Sequence, residues 1–258
     1  MILVVGGTID GRKIAAEIAS RGKKVLVSTA TQLGASLAAG GGIEVIEGRL
    51  DDRGLERLIR DRVINVVVDA SHPFAVEITQ NAIKACQRAG VRYIRYARPE
   101  ENINFTNSPV RVAEGFEEAA VMACGAGKTV FLTTGSKTAG IFLRAASGAD
   151  CRVLVRVSPD PEVIRGLLAE GFSRRDIVAM VGPFGEELNI ALFKQYRADV
   201  IVAKESGAAG GLREKLSAAE KLGLPVIIVR RPPEPPGAVY SGEEAVNRAL
   251  RHMEREST

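Results

Sequence analysis

Ile2-Leu3-Val4-Val5-Gly6-Gly7-Thr8-Ile9-Asp10-Gly11-Arg12 decides the fold. Four aliphatic residues break into two glycines and then into residues that can cap a helix, so a buried strand turns directly into a helix. Bare amides at such a turn suit a phosphate: glycine lets the backbone approach closely, and the unpaired N–H groups of the helix start favour negative charge. The spacing departs from G-x-G-x-x-G, because Thr8 stands where the second spaced glycine would sit. The bland alternative is a tight junction capped by Thr8 or Asp10.

Outward from this turn the same grammar repeats. Candidate strands at Ile2 to Val5, Val25 to Val27, Ile43 to Ile46, Val66 to Val68 and Tyr93 to Tyr96 alternate with helical patterns at Arg12 to Ser20, Arg53 to Asp61 and Ile78 to Ala89. Further strands are expected at Val110 to Val112, Val130 to Thr133, Val153 to Val157, Ile177 to Val181, Val200 to Val202 and Val226 to Val229. This predicts an α/β protein of two Rossmann-like lobes with mostly parallel sheets and a cleft between them. The stretch Arg98-Pro99-Glu100-Glu101-Asn102-Ile103-Asn104 breaks the rhythm, so the lobes are expected at 1–98 and 99–258. Arg231-Pro232-Pro233-Glu234-Pro235-Pro236 can be only a surface loop, followed by a last helix capped near Ser241 and a charged, fraying tail.

Composition narrows the class. With 46% hydrophobic and 26% charged residues in a chain of 258, and no apolar run near the ~20 residues of a membrane helix, a soluble protein without a membrane partner is expected. Met1 leads straight into the first strand without a basic segment or cleavage site, which points to the cytoplasm. A net charge of +4 is too small for an obligate nucleic-acid binder but suits a small anionic ligand. Cys86, Cys124 and Cys151 lack the spacing of a zinc site or a disulfide framework, and no metal site is expected. Oligomeric state is not set by these features.

Other strand ends carry the remaining candidates, because ligands of open α/β sheets bind beyond the carboxyl ends of strands. No acid follows Val25-Leu26-Val27; Ser28, Thr29 and Arg12 stand nearby and could hold a 2′-phosphate, which favours NADPH while leaving NADH possible. Their bland reading is a cap for the next helix. Asp69-Ala70-Ser71-His72-Pro73-Phe74 is a polar turn after a buried strand, and His72 is one of only two histidines. It is a candidate for the crevice or, alternatively, a hydrogen-bonded turn residue. Thr134, Gly135, Ser136 and Lys137 form a donor-rich turn that could grip anions or merely start a helix. Gly182-Pro183-Phe184 with Glu186, Glu187 and Asn189, and Lys204, Glu205, Ser206 and Gly207, also follow expected strands. Gly125-Ala126-Gly127-Lys128-Thr129 mimics a Walker A ending but precedes a strand and has Met122 for the first glycine. No tyrosine has lysine four residues on, which disfavours a short-chain dehydrogenase. Asn104-Phe105-Thr106 is a glycosylation sequon by letter only.

Taken together, Gly6-Gly7-Thr8, Asp69-Ala70-Ser71-His72-Pro73-Phe74-Ala75 with Asn81, Arg95 with Arg98-Pro99, Thr133-Thr134-Gly135, Gly182-Pro183-Phe184, Lys204-Glu205-Ser206-Gly207 and the Arg-Arg-Pro ending at Pro232 resemble the precorrin-6A reductase family of cobalamin biosynthesis. The likeness spans residues 2 to about 232. It departs from members with Gly-Gly-Thr-x-Glu, since this chain has Asp10. The resemblance implies hydride transfer from a reduced nicotinamide to the C18=C19 bond of a ring-contracted tetrapyrrole polycarboxylate, either precorrin-6A or its cobalt complex. It further implies a cofactor seat at Gly6, Gly7, Thr8, Asp10, Arg12, Ser28, Thr29, Ser71, His72 and Pro73, and carboxylate contacts from Arg98, Thr134, Gly135, Ser136, Lys137, Lys204, Ser206 and Gly207. His72 and Lys204 are the candidates for proton delivery. Two other classes fit the same grammar: a non-catalytic two-lobed binding protein, and a nucleotide-dependent transferase.

Overall fold

The computed structural model describes residues 1–100 and 109–255, so the expected link at Glu101 to Asn104, the Asn104 sequon and the last three tail residues lie outside the described residues. The chain forms two units, Met1–Pro99 with Pro232–Thr258, and Glu100–Arg231.

In the first unit β1 (Ile2–Val5), α1 (Ile9–Ser20), β2 (Val25–Thr29), α2 (Gln32–Ala38), β3 (Glu44–Glu47), α3 (Asp52–Asp61), β4 (Val66–Asp69), α4 (Val76–Ala89) and β5 (Arg92–Arg95) follow one another. The strands pair in the order β3-β2-β1-β4-β5, all parallel, with Val5 level with Ser28 on one side and Asp69 on the other. Alternation along the strands divides the core. Ile2 and Val4 pack with Ile14, Ala15 and Ile18 of α1, whereas Leu3 and Val5 pack with Leu55 and Ile59 of α3 and Ala82, Ala85 and Cys86 of α4. Burying each such branched side chain contributes about 2 kcal/mol. The fully buried central strands therefore make a firm base for the loops at their ends.

The second unit runs β6 (Val110–Ala113), α5 (Phe116–Ala126), β7 (Thr129–Leu132), α6 (Ala139–Ala146), β8 (Arg152–Val157), α7 (Pro161–Ala169), β9 (Ile177–Ala179), α8 (Glu186–Gln195), β10 (Val200–Lys204), α9 (Leu212–Lys221) and β11 (Val226–Val229). Its strand order is β6-β11-β10-β7-β8-β9, again all parallel. Phe131, Leu154, Ile201 and Ile228 pack on one face with Phe193 of α8 and Leu212 and Leu216 of α9. The strand expected to reach Val181 stops at Ala179, where Met180 N–H makes its last ladder-like bond to Val157 O before the chain turns at Pro183.

The expected division at 1–98 and 99–258 needs one correction. After β11 the chain returns to the first unit: Val239 bridges Tyr96 in parallel, its N–H donates to Arg95 O at 2.8 Å and its carbonyl accepts from Ala97 N–H at 2.8 Å. The last helix, α10 (Gly242–Arg255), then buries Ala245, Val246 and Ala249 beside Ile14 and Ile18 of α1. An amphipathic helix settles where an apolar face awaits it, and sequence order does not say which unit offers that face.

Candidate active site

Each sheet reverses its winding once. From β1 the chain moves to β2 on one side, and from β4 to β5 on the other, so the switch point of the first unit lies between the carboxyl ends of β1 and β4. The loops flanking it are Gly6-Gly7-Thr8 and Ala70-Ser71-His72. In the second unit β7 leads to β8 and β10 leads to β11 in opposite directions. Its switch point is flanked by Thr134 to Lys137 and by Lys204 to Gly207. These are four of the turns singled out from the sequence.

The glycine turn is shaped by contact as much as by openness. Gly6 has φ +116°, and a Cβ there would lie 2.8 Å from Ser71 Cα, so the two flanking turns touch through backbone. A Cβ on Gly11 would run into Gly6 O, which lets α1 start directly against the turn. Sequence reading missed Gly11, although it stands at the third glycine of the fingerprint when counted from Gly6. Thr8 caps α1 by accepting from Gly11 N–H at 3.0 Å. Helix geometry leaves the N–H groups of Ile9 and Asp10 without intrahelical acceptors.

Several expected cofactor residues have internal partners. Arg12 Nη1 donates to Gly7 O at 2.9 Å. Ser28 and Thr29 are buried, and the Thr29 hydroxyl donates to Thr31 O at 3.2 Å. Arg98 also has an internal partner: its Nε donates to Asp10 Oδ2 at 2.7 Å in a largely buried ion pair of the first unit. Asp10, kept as an acid but shorter than Glu, thus anchors the segment after β5 to the first turn of α1.

Beneath His72 lies a buried charge network that the sequence did not reveal. Asp69, fully buried, accepts from Ser71 N–H at 2.9 Å, from the Thr79 hydroxyl at 2.7 Å and from Tyr93 OH at 2.9 Å. Burial and the Asp69 charge push the Tyr93 phenol upward. Arg95 Nη1 lies 3.1 Å from Asp69 Oδ1 and donates to Ser71 O and Oγ, each at 3.1 Å. Burial opposes the charge on Arg95, but Asp69 and Glu234 more than offset it and raise its pKa. Above this base Pro73 is buried, and His72 Nδ1 accepts from Phe74 N–H at 3.2 Å. A ring nitrogen that accepts carries no proton, so the proton of neutral His72 sits on Nε2.

In the second unit the switch-point loops carry two cations, a half-buried Lys204 and an exposed Lys137. Lys204 closes β10 with Nζ 5.4 Å from the centre of the Phe116 ring; burial, then the charge of Lys137, lower its pKa to about 8. Gly135 and Gly207 take left-handed φ values of +82° and +69°. Thr134 Oγ1 is buried with no hydrogen-bond partner among the described residues. Two further cations, absent from the sequence expectations, stand behind them. Lys215 on α9 donates to Gly210 O at 2.9 Å, and burial followed by the charge of Arg156 lowers its pKa to about 8. Arg156 near the end of β8 stacks 3.9 Å from the Phe184 ring centre and donates to Asn189 Oδ1 at 2.8 Å; burial lowers it to about 10. Asn189, fully buried, also donates to Phe184 O and Gly185 O, latching the Gly-Pro-Phe turn to β8. Cations depressed chiefly by burial, and at Lys215 also by Arg156, are relieved by an anion.

Two doubly wound parallel sheets, with a glycine turn at the switch point of one and a cationic turn at the switch point of the other, define a Rossmann-type α/β protein. The profile of the family described as Precorrin-6x reductase CbiJ/CobK matches residues 1–252. Among curated relatives, Cobalt-precorrin-6A reductase of Priestia megaterium is 35% identical over 256 residues, covering 99% of this chain and 100% of that one. The protein of the same description from Methanothermobacter thermautotrophicus is 39% identical, covering 90% and 76%. The solved structure of CobK precorrin-6A reductase matches with a TM-score of 0.80 at 26% identity, over 97% of this chain and 96% of that one. The chain therefore belongs to the precorrin-6x reductase family and is an oxidoreductase, as the sequence resemblance implies. Membership carries with it a nicotinamide cofactor. Among the described residues no helix is long and apolar enough to cross a membrane.

Proposed function

We propose that this chain is the cytoplasmic enzyme of cobalamin biosynthesis that reduces the C18=C19 bond of cobalt-precorrin-6A with NADPH. The observation that carries the reading is that one chain holds both a glycine turn at the switch point of its first unit and a buried cation cluster at that of its second. Both relatives described above act, by their descriptions, on the cobalt-bearing macrocycle, which favours it over metal-free precorrin-6A.

The residues at the first switch point fit a dinucleotide. Gly6, Gly7 and Thr8, with the N–H groups of Ile9 and Asp10, offer donors and little side-chain bulk to a pyrophosphate. Asp10 acts there through Arg98. With no acid at the end of β2, the region of Ser28, Thr29 and Arg12 favours a 2′-phosphate over free ribose hydroxyls. When bound, the reduced nicotinamide supplies the hydride that saturates C19. Ser71, His72 and Pro73 would border its ring, with the proton of neutral His72 on Nε2.

Thr134, Gly135, Ser136, Lys137, Ser206 and Gly207 bind macrocycle carboxylates, and the field of Arg156 and Lys215 strengthens their hold. Lys204 is the acid for C18: with a pKa of about 8 it is protonated at neutral pH yet gives up its proton far more readily than an exposed lysine. His72 is the other candidate donor.

The test is anaerobic turnover of each macrocycle with each cofactor, followed by loss of dihydronicotinamide absorbance. Oxidation of NADPH with cobalt-precorrin-6A, faster than with NADH or precorrin-6A, is expected. Tight macrocycle binding without NADPH or NADH oxidation would leave a binding protein instead.

A further inference from the structure

The charge network under His72 contains a residue supplied by the far end of the chain. Glu234 lies in the proline-rich return segment, 139 residues from Arg95, yet its Oε2 accepts from Arg95 Nε at 2.7 Å and its Oε1 from Nη2 at 3.4 Å. Both side chains are nearly inaccessible, at 10% and 3% exposure. The other edge of the same guanidinium, through Nη1, holds Ser71 O and Ser71 Oγ and pairs with Asp69. The guanidinium is planar and rigid, so a fork fixed on one edge fixes the direction of the donor on the other. The return segment is itself held in register by the Val239 bonds to Arg95 and Ala97.

We propose that Glu234 is a positioning residue for hydride transfer: acting through Arg95, it sets the Ser71–His72 turn against the nicotinamide end of the cofactor. This rests on the cofactor placement proposed above. Nothing in Glu234 touches the reacting atoms. Its work is to keep Arg95 aimed at Ser71, so that the turn bordering the nicotinamide does not drift. Displacements well below an ångström cost rate in a step that depends on the approach of donor and acceptor. Proline on both sides of Glu234 limits the conformations from which the carboxylate must be recruited.

The experiment compares E234A, E234Q and E234D in the full chain with the parent. NADPH affinity is read from the fluorescence of the bound dihydronicotinamide, turnover from the cobalt-precorrin-6A assay, and folding from thermal unfolding. E234A is expected to lose about tenfold in kcat/KM for NADPH while KM for the macrocycle stays unchanged. E234Q, which keeps an acceptor for Arg95 Nε, is expected to recover most of that loss. A residue that only stabilises the fold would lower Tm and leave the kinetics of the folded enzyme and its NADPH affinity untouched, and that result overturns the proposal. So does equal damage in E234Q and E234A. Should E234A not fold, E234D decides, since a shortened carboxylate withdraws from the fork: parent-like NADPH parameters would overturn the idea. H72A serves as the control on the underlying reading. If H72A changes no cofactor parameter, the cofactor placement is what fails; if H72A is impaired while the Glu234 variants are not, the positioning role is what fails.

Discussion

Thr8 and Ala70 join the two turns at the first switch point, the threonine hydroxyl donating to the alanine carbonyl at 2.8 Å. The same oxygen accepts from Gly11 N–H, so one side chain both caps α1 and ties it to the end of β4. Thr8→Val keeps the shape and removes both bonds. A loss of about 1 kcal/mol from the cap is expected, with weaker NADPH binding because the turn that receives the pyrophosphate is released. Thr8→Ser should restore both. Thermal unfolding and NADPH titration check it; parent-like affinity in Thr8→Val would show that the tether is irrelevant to the cofactor.

Gly6 and Gly7 should respond differently to alanine. At Gly6 the added Cβ meets Ser71 backbone at 2.8 Å from a φ of +116°, so a stability loss of about 3 kcal/mol is expected. At Gly7 the nearest atoms, Gly34 Cα and Thr29 Cγ2, are 3.2 Å away and no positive φ is required. Gly7→Ala should therefore fold and Gly7→Val should chiefly weaken NADPH. Equal unfolding of Gly6→Ala and Gly7→Ala in denaturant titrations would contradict this reading of the turn.

As the proposed acid for C18, Lys204 should give the reaction an alkaline limb. Its folded pKa lies below the usual lysine value, so the acid needed at C18 is lost as pH rises through about 8. Turnover should fall above that pH in proportion to the neutral amine. Removing the neighbouring charge in Lys137→Met should move the limb upward, because the repulsion that helps depress Lys204 is gone. A pH profile of kcat unchanged by Lys137→Met, or flat to pH 10, would assign the proton to another donor.

The same depression has a stability consequence at Lys215. Its pKa near 8 lies below the unfolded value of about 10.4, so between these values the unfolded chain binds more protons and stability contributed by this group rises with pH. Below about 8 the penalty for burying the ammonium is fully present. Lys215→Met should therefore narrow the Tm difference between pH 7.5 and pH 10, values spanning roughly the window set by these pKa values. An unchanged difference would mean that Lys215 sits in a wetter setting.

Asn189 tests the second unit separately. Asn189→Ala removes the acceptor of the buried Arg156 guanidinium and the side-chain donor to Phe184 O, while Gly185 O keeps the backbone N–H of residue 189, a loss of about 3 kcal/mol. NADPH affinity of the folded protein should stay at the parent value while KM for the macrocycle rises. Loss of NADPH binding instead would show that the Gly-Pro-Phe turn serves the cofactor.

Much of this protein could be read along the chain. The run Ile2 to Val5 had to be a strand buried on both faces, and Gly6-Gly7-Thr8 had to be a turn into a helix, because side-chain burial and backbone sterics act within a few residues. The turns after Asp69, Thr133 and Lys204 could be named for the same reason: a strand end followed by donors and glycine is a local pattern. Helix α2 was less visible, since its seven residues include a glycine and offer little periodicity to detect.

What the sequence determined, then, was the kind of element at each place and the residue types available at its ends. Only the tertiary structure decided their partners. Arg98 gave no sign of its partner until the fold brought Asp10 to it, and Glu234 looked like a loop residue until the return segment laid it against Arg95. Arg156 and Lys215 were ordinary surface letters until packing stripped water from them. Propensity is short-ranged and survives in the order of the letters, whereas charge pairing and desolvation depend on which distant segments the core draws together.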